Sequence, residues 1–215
     1  MATDKLQLYN LALTQYLGER KIASLSENRE PRRALDDVWD EGQAVQYCLE
    51  QGHWNFAQRA SQLTYNSSID PAFGYAYVFT KPTDCVKLSK ICSDEMLNSP
   101  ITQYTDEAGY WACNLNEIYV SYVSNDASFG LDMSLWPSTF VHVVAAYLAQ
   151  GSALRLKGNA VAVEKAETRF NRKLIDARAK DAQAGPTQFL PQGSWSRSRS
   201  GGRAGDRGKR GSLIG

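Results

Sequence analysis

The chain has 215 residues, of which 43% are hydrophobic, and its formal net charge is +1. That length fits one domain, or one domain with an insertion, and five Trp with eleven Tyr help to fill a core. No apolar run approaches the ~20 residues that span a bilayer, which argues against a membrane partner. The opening MATDKLQLYN lacks a signal-peptide pattern, which predicts a cytosolic product.

Helical spacing is the first pattern along the chain. Leucine or tyrosine recurs every three or four residues, at Leu6, Tyr9, Leu13 and Leu17. This spacing predicts a helix over 4–17 that ends at Gly18, because glycine readily adopts the left-handed conformation of a helix C-cap. Ile22 and Leu25 are the expected core anchors of the connection that follows.

A second helix is expected to begin at Pro31, since proline suits the first turn of a helix. Its apolar positions are Leu35, Val38, Gly42, Val45 and Leu49. Gly42 lies inside this predicted helix, where glycine costs about 1 kcal/mol relative to alanine. We interpret it as a point of close approach by a neighbouring helix, and we expect the segment to end at Gly52.

β-Branched and aromatic residues, partly alternating with polar ones, replace the helical spacing from about residue 60. They predict strands over 76–79, 86–91 and 117–123. Turn residues separate these runs, as in Asp70-Pro71, Lys81-Pro82-Thr83-Asp84 and Asn98-Ser99-Pro100. Short strands spaced in this way are typical of a small antiparallel sheet or sandwich.

Two more helices are predicted on the C-terminal side of the strands. Pro137 opens the first, and its apolar face holds Phe140, Val144, Tyr147, Leu148, Gly151 and Leu154. After a break at Gly158-Asn159, the last helix covers about 160–183. Its narrow apolar stripe consists of Val163, Ala166, Phe170, Leu174 and Ala177. The rest of its surface is charged, with Asp176 and Lys180 as a favourable pair, so the stripe suits a bundle seam or a neighbouring subunit.

These elements predict an α+β fold in three parts. Residues 1–58 and 134–184 form an antiparallel helical bundle, residues 59–133 form an inserted small antiparallel β-domain, and residues 185–215 form an extended basic C-terminal arm. We expect Trp39, Trp54 and Phe56 to fill the core where the bundle meets the β-domain.

The arm differs from the rest of the chain in composition. It carries six basic residues against one acidic residue, a net charge of +5, which leaves −4 on the remaining 184 residues. A Gly/Ser/Arg-rich segment with few apolar residues cannot offset the entropy of folding alone, but aromatic residues beside arginines suit docking onto another surface. The candidate anchors are Phe189, Leu190, Pro191 and Trp195, with Arg197 and Arg199 as charge-assisted contacts. The alternatives are a solvated C-terminus and a tail packed against its own body.

No catalytic motif is present, whether a Gly-rich phosphate loop, a nucleophile elbow or a metal-binding helix motif. His53 is interpreted as a packed helix-end residue and His142 as a hydrogen-bonded core residue. The four cysteines show no CxxC pair and are expected to be free thiols. Acidic pairs such as Asp36-Asp37 are typical of a solvated helix face, and a glycosidase pair cannot be placed. We therefore predict a protein that is not an enzyme, with no metal and no cofactor.

Nucleic-acid binding is the main alternative to a role in protein docking. The arginines of the arm can neutralise phosphates while Trp195 stacks on a base. Against this interpretation, the body is net negative and contains no recognised nucleic-acid reader motif. A basic tail by itself predicts salt-sensitive binding that is independent of base sequence.

A series of short stretches adds a resemblance that covers most of the chain and is densest over 9–57. The stretches are Asn10-Leu11-Ala12-Leu13, Leu17-Gly18, Ile22-Ala23-Ser24-Leu25, Arg33-Ala34, Trp39, Leu49, Trp54-Asn55-Phe56-Ala57, Lys81-Pro82-Thr83-Asp84-Cys85 and the arm segment 189–195. In order and spacing they resemble the head-to-tail adaptor proteins of bacteriophages. These are the connector or head-completion proteins that include the tail tubular protein A family.

The resemblance implies a structural protein of the virion, assembled in the host cytoplasm and located at the portal–tail junction. Such adaptors form a ring, usually dodecameric, beneath the portal protein after DNA has been packaged. The helical bundle and C-terminal tail contact the portal, the β-domain faces the tail tube or nozzle protein, and packaged DNA passes through the lumen. A net negative body would let DNA slide past rather than adhere. The end of the chain from Ser198 onward has no counterpart in the family.

Overall fold

A computed structural model of the chain describes residues 4–71 and 74–185. Within these residues five α-helices flank a strand-rich middle segment: α1 Lys5–Leu11, α2 Glu30–Asp40, α3 Ala44–Glu50, α4 Ser138–Lys157 and α5 Ala160–Ala184. The strands between α3 and α4 are β1 Gln58–Thr64, β2 Tyr77–Thr80, β3 Cys85–Cys92, β4 Thr105–Glu107, β5 Tyr110–Cys113 and β6 Glu117–Ser124. The predicted α+β class is confirmed.

The first helix forms as its spacing predicts, and it widens in its second half. The Asp4 side chain caps α1 by accepting a hydrogen bond from the Lys5 backbone N–H. The helix continues as a π-helical segment over Ala12–Leu17, where the Thr14 hydroxyl donates to the Asn10 carbonyl at 2.7 Å. Gly18 ends it with a positive φ of 67°, so the predicted left-handed C-cap is confirmed.

The connection after Gly18 has one core anchor rather than two. Ile22 is buried, because the Asn10 side chain bonds both its backbone N–H and its carbonyl. Leu25 was expected beside it and is 36% exposed, so that prediction is wrong. The Ser24 hydroxyl accepts from the Ser26 backbone N–H, which makes a tight turn with Leu25 at its tip.

The predicted second helix is two helices, because the chain breaks between α2 and α3. Gln43 adopts a positive φ of 44°, and a Cβ added to Gly42 would lie 2.4 Å from the carbonyl oxygen of Val38. The prediction that a neighbouring helix approaches closely at Gly42 is therefore wrong. The close contact between helices lies instead at Gly151 in α4, where an added Cβ would lie 2.7 Å from Cγ1 of Val38.

We expect Gly151→Ala to lower the free energy of unfolding by about 1 kcal/mol. Overpacking against the stiff Val38 side chain costs ~1–3 kcal/mol, which exceeds the ~1 kcal/mol that alanine gains over glycine in a helix. In a Val38→Ala background the same change should instead stabilise the protein, because the clashing methyls are gone. Urea denaturation of the unchanged protein, the two single variants and the double variant measures both values, and an equal loss in both backgrounds would contradict the packing argument.

Helix α4 is the centre of the helical part. It packs against α2, the π-helical segment, α1, α3 and α5, and its buried residues lie on several sides: Phe140, Val143, Val144, Ala145, Ala146, Leu148, Ala149, Ser152 and Ala153. One residue predicted to lie on the buried apolar face of α4 is exposed instead. Leu154, in the last turn, is 64% exposed because no described element covers it there. Gly158 ends α4 in the left-handed conformation, so the predicted break is confirmed.

The strands form two three-stranded antiparallel sheets that share one core. The first has the order β1-β6-β3 and the second the order β2-β5-β4. Phe79 and Trp111 of the second sheet pack with Ile118, Val120 and Tyr122 of β6 in a single apolar cluster. All three strands predicted from the sequence are present, as β2, β3 and β6.

The helical core reaches the first sheet through the segment between α3 and β1. Trp54 is 1% exposed and Phe56 packs beside it, and both rings contact Phe140 of α4. Val123 at the end of β6 belongs to this same core. The predicted positions of Trp54 and Phe56 are thus confirmed. Trp39 was expected with them, but it packs edge-on against Tyr9 in α1, at 6.1 Å between ring centroids.

Candidate functional surface

The sequence assigns docking to six side chains of the C-terminal arm. Phe189, Leu190, Pro191, Trp195, Arg197 and Arg199 all lie outside the described residues. The candidate surface is therefore built from the last described element, helix α5, which is 25 residues long. The Asn159 side chain caps its first turn by accepting from the Ala162 backbone N–H at 2.9 Å.

Helix α5 is attached to the rest of the protein along one narrow stripe. Four of the five predicted stripe residues, Ala166, Phe170, Leu174 and Ala177, are buried and pack mainly on α4. The fifth, Val163, is half-buried. Phe170 lies beside Tyr147, at 5.6 Å between ring centroids. On the roughly opposite side, Val161 is 55% and Ile175 is 64% exposed. They stand two heptads apart and therefore share a side of the helix, which we call the outer face.

A row of basic residues runs along one side of α5, between the stripe and the outer face. Lys165, Arg169, Lys173 and Lys180 recur at intervals of four, four and seven residues, which places them on one flank of the helix. We call this row the basic flank. Asp176 lies in the same row, but in the described part of the chain it forms no ion pair with Lys180. The Asp176–Lys180 pair predicted from sequence is thus not formed.

The basic flank is one wall of two open grooves. The first groove, of about 310 Å³, lies between α5 and the π-helical segment and includes Tyr16, Gly18, Lys165 and Arg169 among its lining residues. The Arg169 guanidinium crosses it and donates to the Tyr16 carbonyl at 2.7 Å. Lys157 at its edge is paired with Glu19 at 2.6 Å.

The second groove, of about 480 Å³, lies between α5 and the first turns of α4. Lys173, Lys180 and Asp176 face Ser138, Thr139 and His142 across it. The Tyr16 hydroxyl lies 3.1 Å from Nδ1 of His142. Burial, together with the nearby Lys173 ammonium, lowers the pKa of His142 below its ordinary value, so its ring is neutral at pH 7. The positive charge of this groove therefore comes from the lysines.

Most of the described basic residues bind an oxygen of another residue. Seven of those described form ion pairs: Lys5, Arg29, Arg32, Arg59, Lys81, Arg155 and Lys157. Five more donate to neutral oxygens: Arg33, Lys87, Lys90, Arg169 and Arg178. Six make neither contact with any described residue: Arg20, Lys21, Lys165, Arg172, Lys173 and Lys180. Four of these six are on α5, and the other two follow shortly after Gly18, which lines the first groove.

Charge is distributed unevenly between helices and strands. Residues 58–137 contain nine acidic residues and only four basic ones. One of these acids is structural, since Asp84 accepts hydrogen bonds from Arg59 at 2.9 Å and from the hydroxyls of Tyr122 and Ser124. Unpaired cations are therefore concentrated on α5, whereas the strand region, residues 58–137, has a net negative charge.

A further polar contact among the described residues joins His53 to Ser89. His53 was expected to pack at a helix end, but it is exposed, and its Nδ1 lies 3.1 Å from the Ser89 hydroxyl. Ser89 in turn bonds Gln58, and the described contacts bring no carboxylate to this pair. Burial raises the pKa of the thiols of Cys48, Cys85, Cys92 and Cys113. All four cysteines are free thiols, as expected.

The described residues offer neither a metal-ligand cluster nor a membrane-spanning helix. Residues 4–71 and 74–185 contain no group of three or more His, Cys, Asp or Glu side chains placed to hold a metal ion. None of the described helices is long and apolar enough to cross a membrane.

Comparison with known proteins gives no assignment of family: no protein-family model matches the sequence, and no curated protein is significantly similar to it.

Proposed function

We propose that this chain is a structural virion protein, a head-to-tail adaptor that forms a ring on the portal after DNA packaging and joins it to the tail. The observation that carries the proposal is the incomplete burial of α5. A helix of 25 residues, about 37 Å long at ~1.5 Å per residue, buries four side chains against its own chain. Hydrogen bonds from Arg169 to Tyr16 and from Asn55 to Asp181 add to this attachment. The outer face remains open to a second copy.

Exposed aliphatic side chains support a subunit contact at this face. Val161 and Ile175 are each more than half exposed, on a helix otherwise covered by charged and polar residues. Burying such a side chain contributes ~1.5–3 kcal/mol, and a ring repeats the contact at every subunit. Contacts between different faces of successive copies close into a ring when the rotation permits it.

The proposed arm contact explains why one chain needs both a folded body and an arm. A segment with Phe189, Leu190 and Trp195 beside arginines can fold as it enters a groove between portal subunits. Its affinity per copy can be modest because a ring presents many copies at once. In this proposal the strand region faces the tail tube or nozzle protein, packaged DNA passes through the lumen, and the chain catalyses no reaction.

Electron microscopy of the protein mixed with its cognate portal tests both contacts. Full-length protein should decorate the portal with a ring of defined symmetry. Deletion of 186–215, or the triple change Phe189→Ala, Leu190→Ala and Trp195→Ala, should abolish attachment. Ile175→Asp should prevent ring closure because it places a charge in the subunit contact. Thermal unfolding of each free monomer should be almost unchanged.

Two matched controls separate these effects from general damage. Leu213→Ala with Ile214→Ala removes apolar side chains from the same arm and should leave attachment intact. Leu25→Asp introduces the same charge at an exposed leucine in a loop and should leave the ring intact. Normal portal binding by the truncated protein would refute the docking arm, and closed rings from Ile175→Asp would refute the outer-face contact.

Nucleic-acid binding through the arm is the second candidate, and the net charge of +5 over 185–215 favours it. It predicts that the full-length protein binds DNA in the absence of any portal, with a steep dependence on salt. Retention of portal attachment together with loss of DNA binding, after neutralising the arm, would separate the two functions.

A further inference from the structure

The basic flank of α5 keeps its charges exposed to solvent. Lys165, Lys173 and Lys180 are exposed and make no ion pair or hydrogen bond with a described residue. Elsewhere on the described surface such contacts are common, as with Arg155, which binds both Glu30 and Asp37. An ammonium group without a partner remains fully available to an external anion.

The spacing of the basic flank suits an extended anion better than a compact one. At ~1.5 Å of rise per residue, Lys165, Arg169 and Lys173 follow one another at about 6 Å, and Lys180 lies about 22 Å along the helix from Lys165. The grooves beside these residues are open to solvent rather than enclosed. A small anion would reach only part of this row.

We propose that the basic flank is a binding surface for the phosphate backbone of double-stranded DNA, independent of the C-terminal arm. Phosphates follow one another along each strand of the duplex, so a row of cations can meet several at once, although Asp176 interrupts this row between Lys173 and Lys180. An acidic protein surface is less suited, since protein interfaces centre on buried aromatic and apolar anchors. Among the described residues that line the first groove, Tyr16 is the one aromatic side chain, and its hydroxyl is already bonded to His142.

This contact is independent of the proposed adaptor ring and can be tested without a portal. The flank offers no set of side chains for reading base edges, so binding is to the backbone and independent of base sequence. Four cations on phosphates predict a slope of about −3.6 in log K against log salt concentration. With that slope, the affinity falls about 150-fold between 50 and 200 mM salt.

The experiment uses the full chain with the six basic residues of the arm, Arg197, Arg199, Arg203, Arg207, Lys209 and Arg210, changed to glutamine. Fluorescence anisotropy with a labelled 30-base-pair duplex measures affinity over a series of salt concentrations. This arm-neutral protein should still bind at 50 mM salt. Adding Lys165→Gln, Lys173→Gln and Lys180→Gln should weaken binding at least tenfold and reduce the slope by about 2.7.

A matched triple variant supplies the control. Lys81→Gln, Lys87→Gln and Lys90→Gln remove the same charge from the strand region and should change neither slope nor affinity substantially. Thermal unfolding checks that every variant is folded. The proposal is overturned if the arm-neutral protein does not bind DNA at 50 mM salt, or if both triple variants weaken binding equally. It is also overturned if the α5 changes abolish self-association in sedimentation but leave DNA binding unchanged.

Discussion

Replacing Trp54 with alanine should lower the free energy of unfolding by about 3–5 kcal/mol, the largest effect we expect from a single substitution. Trp54 is among the largest fully buried side chains, at 1% exposure. Its ring contacts Phe56 and Phe140, and its indole N–H donates to the Cys48 carbonyl at 2.9 Å. Alanine would leave both a cavity and a buried carbonyl without a donor.

A conservative substitution of Trp54 separates the loss of packing from the loss of the hydrogen bond. Trp54→Phe keeps an aromatic ring in the core but removes the donor to Cys48, so we expect a smaller loss, of about 1–3 kcal/mol. Urea denaturation followed by circular dichroism measures both variants. A loss below about 1 kcal/mol for Trp54→Ala would show that the core between the helices and the first sheet tolerates a cavity, contrary to the packing described here.

Asp84→Ala should cost about 2–3 kcal/mol, because it removes a largely buried acceptor shared by three donors. The carboxylate binds the Arg59 guanidinium and the hydroxyls of Tyr122 and Ser124. Those two hydroxyls lie in the sheet and would be left without this acceptor. Asp70→Ala, which removes an exposed carboxylate with no described side-chain partner, is the control and should be almost neutral.

The same site predicts a dependence of stability on pH. Burial alone would raise the pKa of Asp84, but hydrogen bonds from Ser124 and Arg59 outweigh it and hold that pKa below its ordinary value. A carboxyl with a lowered pKa in the folded state stabilises the protein above the unfolded pKa of ~3.9. That contribution is lost as the pH falls through the lower folded pKa. Asp84→Asn should therefore flatten the loss of stability below about pH 4. An unchanged acid profile would exclude this role.

Elements with a regular apolar repeat could be predicted from the sequence. The stripe of α5 and the C-cap at Gly18 follow from spacing and glycine chemistry alone. The break between α2 and α3 could not be predicted, because Val38 and Val45 keep the helical spacing across it. It depends on the left-handed conformation of Gln43, a residue type that gives no local signal for a turn.

Three strands could not be predicted from the sequence, because they lack a recognisable alternation of apolar and polar residues. β1 reads QRASQLT and has few β-branched or aromatic residues, so only its pairing with β6 makes it a strand. β4 and β5 are three and four residues long, too short for alternation to be recognised. The four-residue spacing of Lys165, Arg169 and Lys173 indicates the basic flank in the sequence itself. The absence of described partners for Lys165 and Lys173 depends on the tertiary structure.

The central place of α4 also determines when the protein can fold during synthesis. Leu8, Leu13 and Leu35 leave the ribosome long before the helix that covers them, since residues 51–137 separate α3 from α4. These leucines therefore stay exposed, and prone to aggregation, until α4 has been synthesised to its end at Lys157. Folding of the helical part is therefore expected to be late and dependent on distant contacts, with chaperone binding concentrated on the first fifty residues.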